Sequence, residues 1–533
     1  LIAVQESGME QVLIAGAWRA AAEHAGSFRA VDPASGEAIG PAFPRSGAQD
    51  VEAAVAAATA IADELAATPP ATIAAFLERY ADGIDAAKDE LVVVAHAETA
   101  LPKAPRLADV ELPRTSSQLR QAAAAVRAYA WTYPVIDTRA GLRAHHAPLH
   151  KPVLVFGPNN FPFAFNAVAG SDFASAIAAR NPVIAKAHPS HPATSRLLAR
   201  IAHEAVLDAG LPAACVQLLY DVDAALGLQL ASDRRIGAIG FTGSRGAGLA
   251  LKAAADKAGI PLYAEMSSVN PVFILRGALR ERGGALAQEY FASATLGGGQ
   301  FCTNPGVVIV PAVAEGDAFV ETAAAYFAAA APAVLFSARV REHLVDGVAA
   351  LRQAGAVVVA GKAAAEGPGA RYTPSLLAVS GADFLARARA LQQEAFGPVS
   401  LVVRCSDIAQ AEAIARAFDG NLTGSLFTAT DRSDDAEAAR IAAALRPRVG
   451  RLINDKWPTG VAVSAAMQHG GPYPSTSHAG FTSVGMPAAI RRFTALHAYD
   501  NVRDERLPAE LRNANPGGVQ RLVDGAWTMA DIT

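Results

Sequence analysis

The sequence predicts a large α/β protein built on a parallel, doubly wound sheet, and three observations carry that prediction. From Pro152 onward short apolar runs alternate with helix-length segments, the pattern of βαβ units. The chain has 533 residues, enough for two to four domains. Its composition is 52% hydrophobic and 18% charged, against a usual charged share of about 25%, as a chain with much buried sheet requires.

The N-terminal elements come first. Val12 to Trp18 reads as short strands, and Val31-Asp-Pro-Ala-Ser-Gly-Glu37 as a tight turn. From Ala48 to about Arg127, alanine-rich segments with apolar residues at i, i+3 and i+4 predict helices, broken at Thr68-Pro-Pro70 and Leu101 to Pro105. Tyr133 to Lys151 interrupts the helical pattern and reads as an extended hairpin. Strands are then expected at Val153–Phe156, Pro182–Lys186, Ala214–Leu219 and Ile236–Phe241, with helices at Asn166–Arg180 and Ala193–Ala209. A second alternating region runs from Pro271 to roughly Val463.

Charge and cysteine content exclude several classes. There are 46 basic and 50 acidic residues, a formal −4, with no basic stripe for nucleic acid or an anionic membrane. Mean hydropathy is +0.21, yet no apolar run approaches the ~18 residues of a membrane span. Leu1 to Gln11 carries Glu6 and Glu10 and has no basic start, so it does not read as a signal peptide. Three cysteines, Cys215, Cys302 and Cys405, cannot build a disulfide framework, and the expectation is a cytoplasmic protein.

Six short segments could carry chemistry. Gly297-Gly-Gly-Gln-Phe-Cys302 places a cysteine at a glycine-rich break between helix and strand; it is either a displayed nucleophile or a core cysteine beside a helix cap. Glu265 ends an apolar strand and is either a helix-capping acid or a general base. Phe241-Thr-Gly243-Ser244-Arg-Gly246 could face a phosphate from a helix N-terminus, or be a plain turn. Asn160, in a Pro-bracketed turn, could aim its amide at an oxyanion or simply make the turn. Lys186 ends a strand and is either a ribose ligand or solvated, and Gln393-Glu394-Ala-Phe396-Gly-Pro398 says little alone. No metal site is assigned.

Taken in order, Asn-Phe-Pro, Lys186, Phe-Thr-Gly-Ser, Glu265, Gly-Gln-x-Cys302 and Glu-x-Phe-Gly-Pro resemble the NAD(P)-dependent aldehyde dehydrogenase superfamily, over nearly the whole chain. Ala97–Pro102, Arg114–Arg120, Ala264–Phe273, Gly299–Gly306 and Met467-Gln-His-Gly-Gly-Pro-Tyr-Pro474 are similar to its α-ketoglutaric semialdehyde (2,5-dioxopentanoate) dehydrogenase branch. The resemblance implies a Rossmann-like cofactor domain (1–130 and 150–266), an α/β catalytic domain (267–485), a small β oligomerisation arm (131–149 and 486–510) and a C-terminal tail (511–533). A homodimer or homotetramer is implied.

The same resemblance assigns roles. Cys302 would attack the aldehyde, Asn160 and the Cys302 N–H would hold the oxyanion, and Glu265 would activate the water that hydrolyses the thioester. Lys186 and Glu394 would bind the two riboses, Phe396 would pack on the nicotinamide, and Gly243 and Ser244 would lie by the pyrophosphate. Pro189 stands where members that prefer NAD usually carry a glutamate, so NADP is favoured over NAD, with His188 or Ser190 against its phosphate. Asp221 and Asp223 argue the other way. Arg114 and Lys456 are the candidate anchors for a substrate carboxylate, or else solvated surface charges. Phe161, Phe163 and Phe165 would supply apolar wall. Fatty aldehydes are the alternative substrates. Glu265 argues against a CoA-acylating enzyme, and a cofactor-free cysteine hydrolase or a catalytically silent protein on the same fold are the remaining readings.

Overall fold

The computed structural model describes residues 8–361, 365 and 367–533, so the first seven residues of the Leu1–Gln11 stretch, Glu6 among them, lie outside it. Two seven-stranded sheets organise the chain. In the first, Leu262–Glu265, Ala238–Thr242, Val153–Phe156, Val183–Lys186 and Val216–Leu219 run parallel, and the hairpin Val12–Ile14/Ala17–Arg19 closes one edge. These five strands are short, apolar and buried on both faces, as a sheet covered by helices on each side demands. Strand order reverses between Val153–Phe156 and Ala238–Thr242. That switch point opens a crevice at their carboxyl ends, where doubly wound sheets take ligands.

The second sheet orders Val357–Ala360, Ser375–Ser380, Val399–Cys405, Val307–Pro311, Val272–Ile274, Asn421–Phe427 and Val449–Asn454. Only the first of these, at the edge, is antiparallel. Separate apolar clusters fill the two faces of this sheet, one around Phe384 and Phe418, the other around Tyr290 and Phe327.

The helices at 48–127 form where alanine dominates, and prolines start or interrupt them as expected. The helix expected over Asn166–Arg180 is shorter, Ser171–Ala178. Residues before it are held as turns instead: Asn166 caps Val168 through its Oδ1 at 3.1 Å, and the Phe163 and Ala164 N–H groups donate to Glu111 at 2.8 and 3.0 Å. Within the lost turn, the Ala169 and Gly170 N–H groups both donate to the Asn166 carbonyl.

The third sheet pairs Thr494–Asp500 antiparallel with Leu142–Pro148, which pairs in turn with Val135–Asp137. The expectation for 511–533 needs correction. Arg521–Val523 and Ala526–Thr528 form a hairpin, and its first strand joins Val135–Asp137 in parallel. The segment is therefore part of the five-stranded arm sheet rather than a separate tail. Arg521 fixes it: its side chain is fully buried and donates to the Ala530 carbonyl at 2.7 Å and to the Arg512 carbonyl. Among the described residues no helix is long and apolar enough to cross a membrane.

Candidate active site

The nucleophile loop is built from glycine. Gly297, Gly298 and Gly299 all adopt positive φ, at 58°, 69° and 68°. A Cβ on Gly299 would lie 2.3 Å from the Gly397 carbonyl oxygen, so the Cys302 loop and the Glu394–Phe396 segment meet backbone to backbone. Asn270, itself at φ 47°, donates its amide to the Cys302 and Asn304 carbonyls, both at 2.9 Å. Gln300 accepts from the Phe336 N–H at 2.9 Å. Cys302 is a part-buried free thiol, while Cys215 and Cys405 are buried.

Glu265 meets Cys302 from the other sheet. It ends the strand Leu262–Glu265 and is 2% exposed. Residues 475–477 add along that strand's edge, with Met266 N–H to the Ser475 carbonyl at 2.7 Å and Ser477 N–H to the Ala264 carbonyl at 3.0 Å. This pairing carries His469 and Ser483 into the site. His469 Nε2 lies 2.9 Å from Glu265 Oε1 and 3.5 Å from Cys302 Sγ, and the Ser483 hydroxyl donates to Glu265 Oε2 at 3.0 Å. In the sequence His469 stands inside the Met467–Pro474 motif, where nothing local assigns it a role. The contact spans residues far apart in the chain, which no local pattern reports.

Electrostatics at this centre follow from burial and neighbours. Burial pushes the Cys302 thiol well up, the Glu265 carboxylate pushes it further, and Arg114 pulls it back. Burial also pushes the Glu265 carboxyl up. There the His469 charge and hydrogen bonds from His469, Ser483 and Cys302 outweigh it and hold Glu265 below the ordinary carboxylate range. The resting pair is a thiol beside a carboxylate.

Asn160 is 6% exposed and donates one amide hydrogen to the Gln300 carbonyl at 3.0 Å, leaving the second for another acceptor. Phe161 and Phe165 join Phe301, Val484 and Met467 in an apolar wall, whereas Phe163 belongs to the main core. Arg114 lies over the Phe161 and Phe165 rings at 5.6 and 5.0 Å. Its Nη2 is buried without a hydrogen-bond partner, and burial lowers the guanidinium's pKa.

Lys456 is exposed. Asp455 adopts φ 49° and is tied to the Thr428 N–H and hydroxyl; Trp457 then turns inward onto Tyr290 and Phe427, which leaves Lys456 exposed. The cation from that strand that does approach Cys302 is Arg451. Its Nη groups bind Met467 Sδ and the Pro458 and Gly460 carbonyls at 3.1–3.3 Å, and its Nε is buried without a partner. Arg106 also borders the pocket, 4.6 Å from the Phe161 ring and donating to the Asn160 carbonyl at 3.1 Å.

At the carboxyl ends of the first sheet, Lys186 Nζ pairs with Asp221 at 3.1 Å, and Arg45 pairs with the other Asp221 oxygen at 3.2 Å. Asp223 instead caps a helix, accepting from Leu226 N–H at 2.8 Å. His188 and Ser190 lie on the same loop, where the Ser190 N–H donates to His188 Nδ1 at 3.1 Å. Burial, with His191, Lys186 and Arg339 nearby, holds His188 well below its usual pKa. Ser244 caps the helix Arg245–Ala258, and a Cβ on Gly243 would sit 2.8 Å from the Phe241 ring. Glu394 faces the Ser268 N–H at 3.5 Å, and burial raises its pKa. It shares one crevice with Phe396, Phe301 and Gly299. Arg245 has a buried Nε with no partner, an orphan donor that a phosphate would satisfy. The residues present therefore fit a dinucleotide.

The chain is similar to known proteins over most of its length. The chain is 42% identical over 519 residues to "Alpha-ketoglutaric semialdehyde dehydrogenase 2" of Azospirillum brasilense, covering 95% of this chain and 97% of that one. It is 36% identical to an "Alpha-ketoglutaric semialdehyde dehydrogenase" of Acinetobacter baylyi, covering 85% and 86%. In fold it is similar to the lactaldehyde dehydrogenase of Escherichia coli (TM-score 0.79, 22% identity, 93% and 99% covered). It is likewise similar to PnpE in complex with nicotinamide adenine dinucleotide (TM-score 0.78, 23% identity, 92% and 97% covered). The Aldehyde dehydrogenase family profile matches residues 18–498, and the chain belongs to that family, whose members are NAD(P)-dependent aldehyde oxidoreductases.

Proposed function

We propose that the chain oxidises a short aldehyde carrying its own carboxylate, of the α-ketoglutaric semialdehyde type, to the corresponding acid. The observation that carries this reading is the pair of arginines, Arg114 and Arg451, whose charges reach Cys302 and which each bury a nitrogen without a partner. An unpaired buried donor is costly unless a ligand completes it, and a carboxylate is the natural complement of a guanidinium. The names of the two curated relatives point the same way.

In the proposed mechanism the Cys302 thiol gives its proton to the Glu265–His469 pair, and the sulfur bonds to the aldehyde carbon. The second Asn160 amide hydrogen and the Cys302 N–H hold the oxyanion. NAD(P)⁺, when bound by Lys186, Glu394 and the Ser244 helix start, supplies the hydride acceptor that leaves a thioester on Cys302. Once the Glu265–His469 pair has released that first proton to solvent, Glu265 is again anionic and takes a proton from the hydrolytic water, and the carboxylate product leaves. Phe396 closes the cofactor side of the crevice.

We read the cofactor as NADP⁺ in preference to NAD⁺. Pro189 offers no carboxylate, and Asp221 is already neutralised between Lys186 and Arg45. His188 and Ser190 flank that position. A homodimer or homotetramer in the cytoplasm remains the expected form of the protein.

The test is a steady-state panel of 2,5-dioxopentanoate, succinic semialdehyde and long-chain aldehydes, each with NAD⁺ and NADP⁺. The acidic semialdehydes should show the highest kcat/KM. Long-chain aldehydes ahead by about tenfold, roughly 1.4 kcal/mol, would overturn the substrate assignment.

A further inference from the structure

We propose that Cys302, His469 and Glu265 form a site for a borderline-soft divalent cation, with Zn²⁺ the best match, and that the ion silences the enzyme by occupying its sulfur and its carboxylate together. The three ligand atoms all lie within 4.8 Å of one another. Tetrahedral zinc, with Zn–S about 2.3 Å and Zn–N and Zn–O about 2.0–2.2 Å, needs S···N near 3.6 Å and N···O near 3.4 Å. The structure has S···N at 3.5 Å and N···O at 2.9 Å, with S···O within 4.8 Å against the roughly 3.6 Å of a tetrahedral site, so the imidazole and carboxylate move apart by about half an ångström and the sulfur and carboxylate close by about an ångström at most.

The ligand chemistry selects the metal. Thiolate, imidazole and carboxylate together suit Zn²⁺, whereas Mg²⁺ and Ca²⁺ require oxygen sets. Ser483 donates to the other Glu265 oxygen at 3.0 Å and orients the carboxylate as an outer-shell partner would. Arg114 and Arg451 stand close by and would repel a bare cation. Binding, however, expels the thiol proton and also displaces the Nε2 hydrogen that His469 shares with Glu265, which passes to Nδ1 or to solvent, so Zn²⁺ with one thiolate, one neutral imidazole and one carboxylate makes a neutral centre that meets no net repulsion. Three protein ligands leave a fourth position for water.

The binding site stands on geometry; only its inhibitory consequence rests on the roles proposed above, and metal titration reads binding without turnover. The full-length protein, stripped with a chelator and desalted, is titrated with Zn²⁺ in equilibrium dialysis. Co²⁺ serves as an optical probe, and alkylation of Cys302 reports occupancy of the sulfur. The expected result is one ion per chain, a thiolate-to-cobalt charge-transfer band, and protection of Cys302 that a chelator reverses. Ser483→Ala should weaken Zn²⁺ roughly 10–100-fold, and His469→Gln and Glu265→Gln should weaken it more. If either of these two variants fails to fold, Ser483→Ala together with the cobalt spectrum of the unaltered protein still decides. Absence of the band, or equal Zn²⁺ affinity in Cys302→Ala, would overturn the proposal.

Discussion

Lys186 at the cofactor end of the active-site crevice and Arg114 and Arg451 at the substrate end are treated in opposite ways, although Arg245 at the cofactor end also keeps a buried Nε without a partner. On the cofactor side Lys186, Asp221 and Arg45 satisfy one another. On the substrate side Arg114 and Arg451 carry buried nitrogens with no partner, against a wall of phenylalanines. A paired charge can exchange its partner for a ligand group at small net cost, which suits a cofactor that must come and go. An unpaired buried charge discriminates, because only a ligand with the opposite charge relieves it.

Five experiments would sharpen or break this contrast. The largest effect belongs to the centre between the two ends. Cys302→Ala should lower dehydrogenase activity by about 10⁴-fold or more while leaving nucleotide binding, read by fluorescence quenching, intact. Because the thiol is pushed up, alkylation of Cys302 should accelerate as pH rises from about 6.5 to about 9; a rate already level below neutrality would contradict the thiol–carboxylate resting state. Next come the unpaired arginines. Arg114→Met and Arg451→Met should each cut kcat/KM for an acidic semialdehyde by about 30- to 1,000-fold, the equivalent of about 2–4 kcal/mol. A neutral aldehyde of similar length should change by less than about threefold. Equal losses for both substrates would mean that the arginines only shape the pocket.

The paired charges should respond more gently. Asp221→Asn should shift the NADP⁺/NAD⁺ preference by about three- to tenfold, consistent with a part-exposed ion pair worth about 1 kcal/mol. A hundredfold shift would show that Asp221 faces the ribose directly and that the pairing is incidental. Lys456→Ala, at a solvated position, should change no kinetic constant by more than about twofold.

How far the sequence revealed this site depends on distance along the chain. The loop containing Cys302 and the strand end at Glu265 announce themselves locally, through three glycines and through a carboxylate closing an apolar run. Arg451 and His469 do not. His469 stands just before 475–477, which pair with 264–266 far upstream, and Arg451 stands on Val449–Asn454 beside Asn421–Phe427, turned toward Met467, Pro458 and Gly460 by loop contacts that no periodicity reports. Lys456 follows Asp455, at φ 49°, and is exposed, which sequence spacing alone could not show. The last hairpin was missed because its strands span three residues each and pair with a segment far upstream. The helices at 48–127 and the parallel strands of the first sheet, with strong periodicity, are legible in the sequence, whereas the helix before Ala178 begins later than its pattern suggests.

The contact between Gly299 and the Gly397 carbonyl leaves no room for a side chain and therefore none for independent adjustment. The segment that positions the sulfur and the segment that presents Glu394 and Phe396 share a common seam. A change that moves one must drag the other, so affinity for the dinucleotide and reactivity of the thiol are inherited as a single trait.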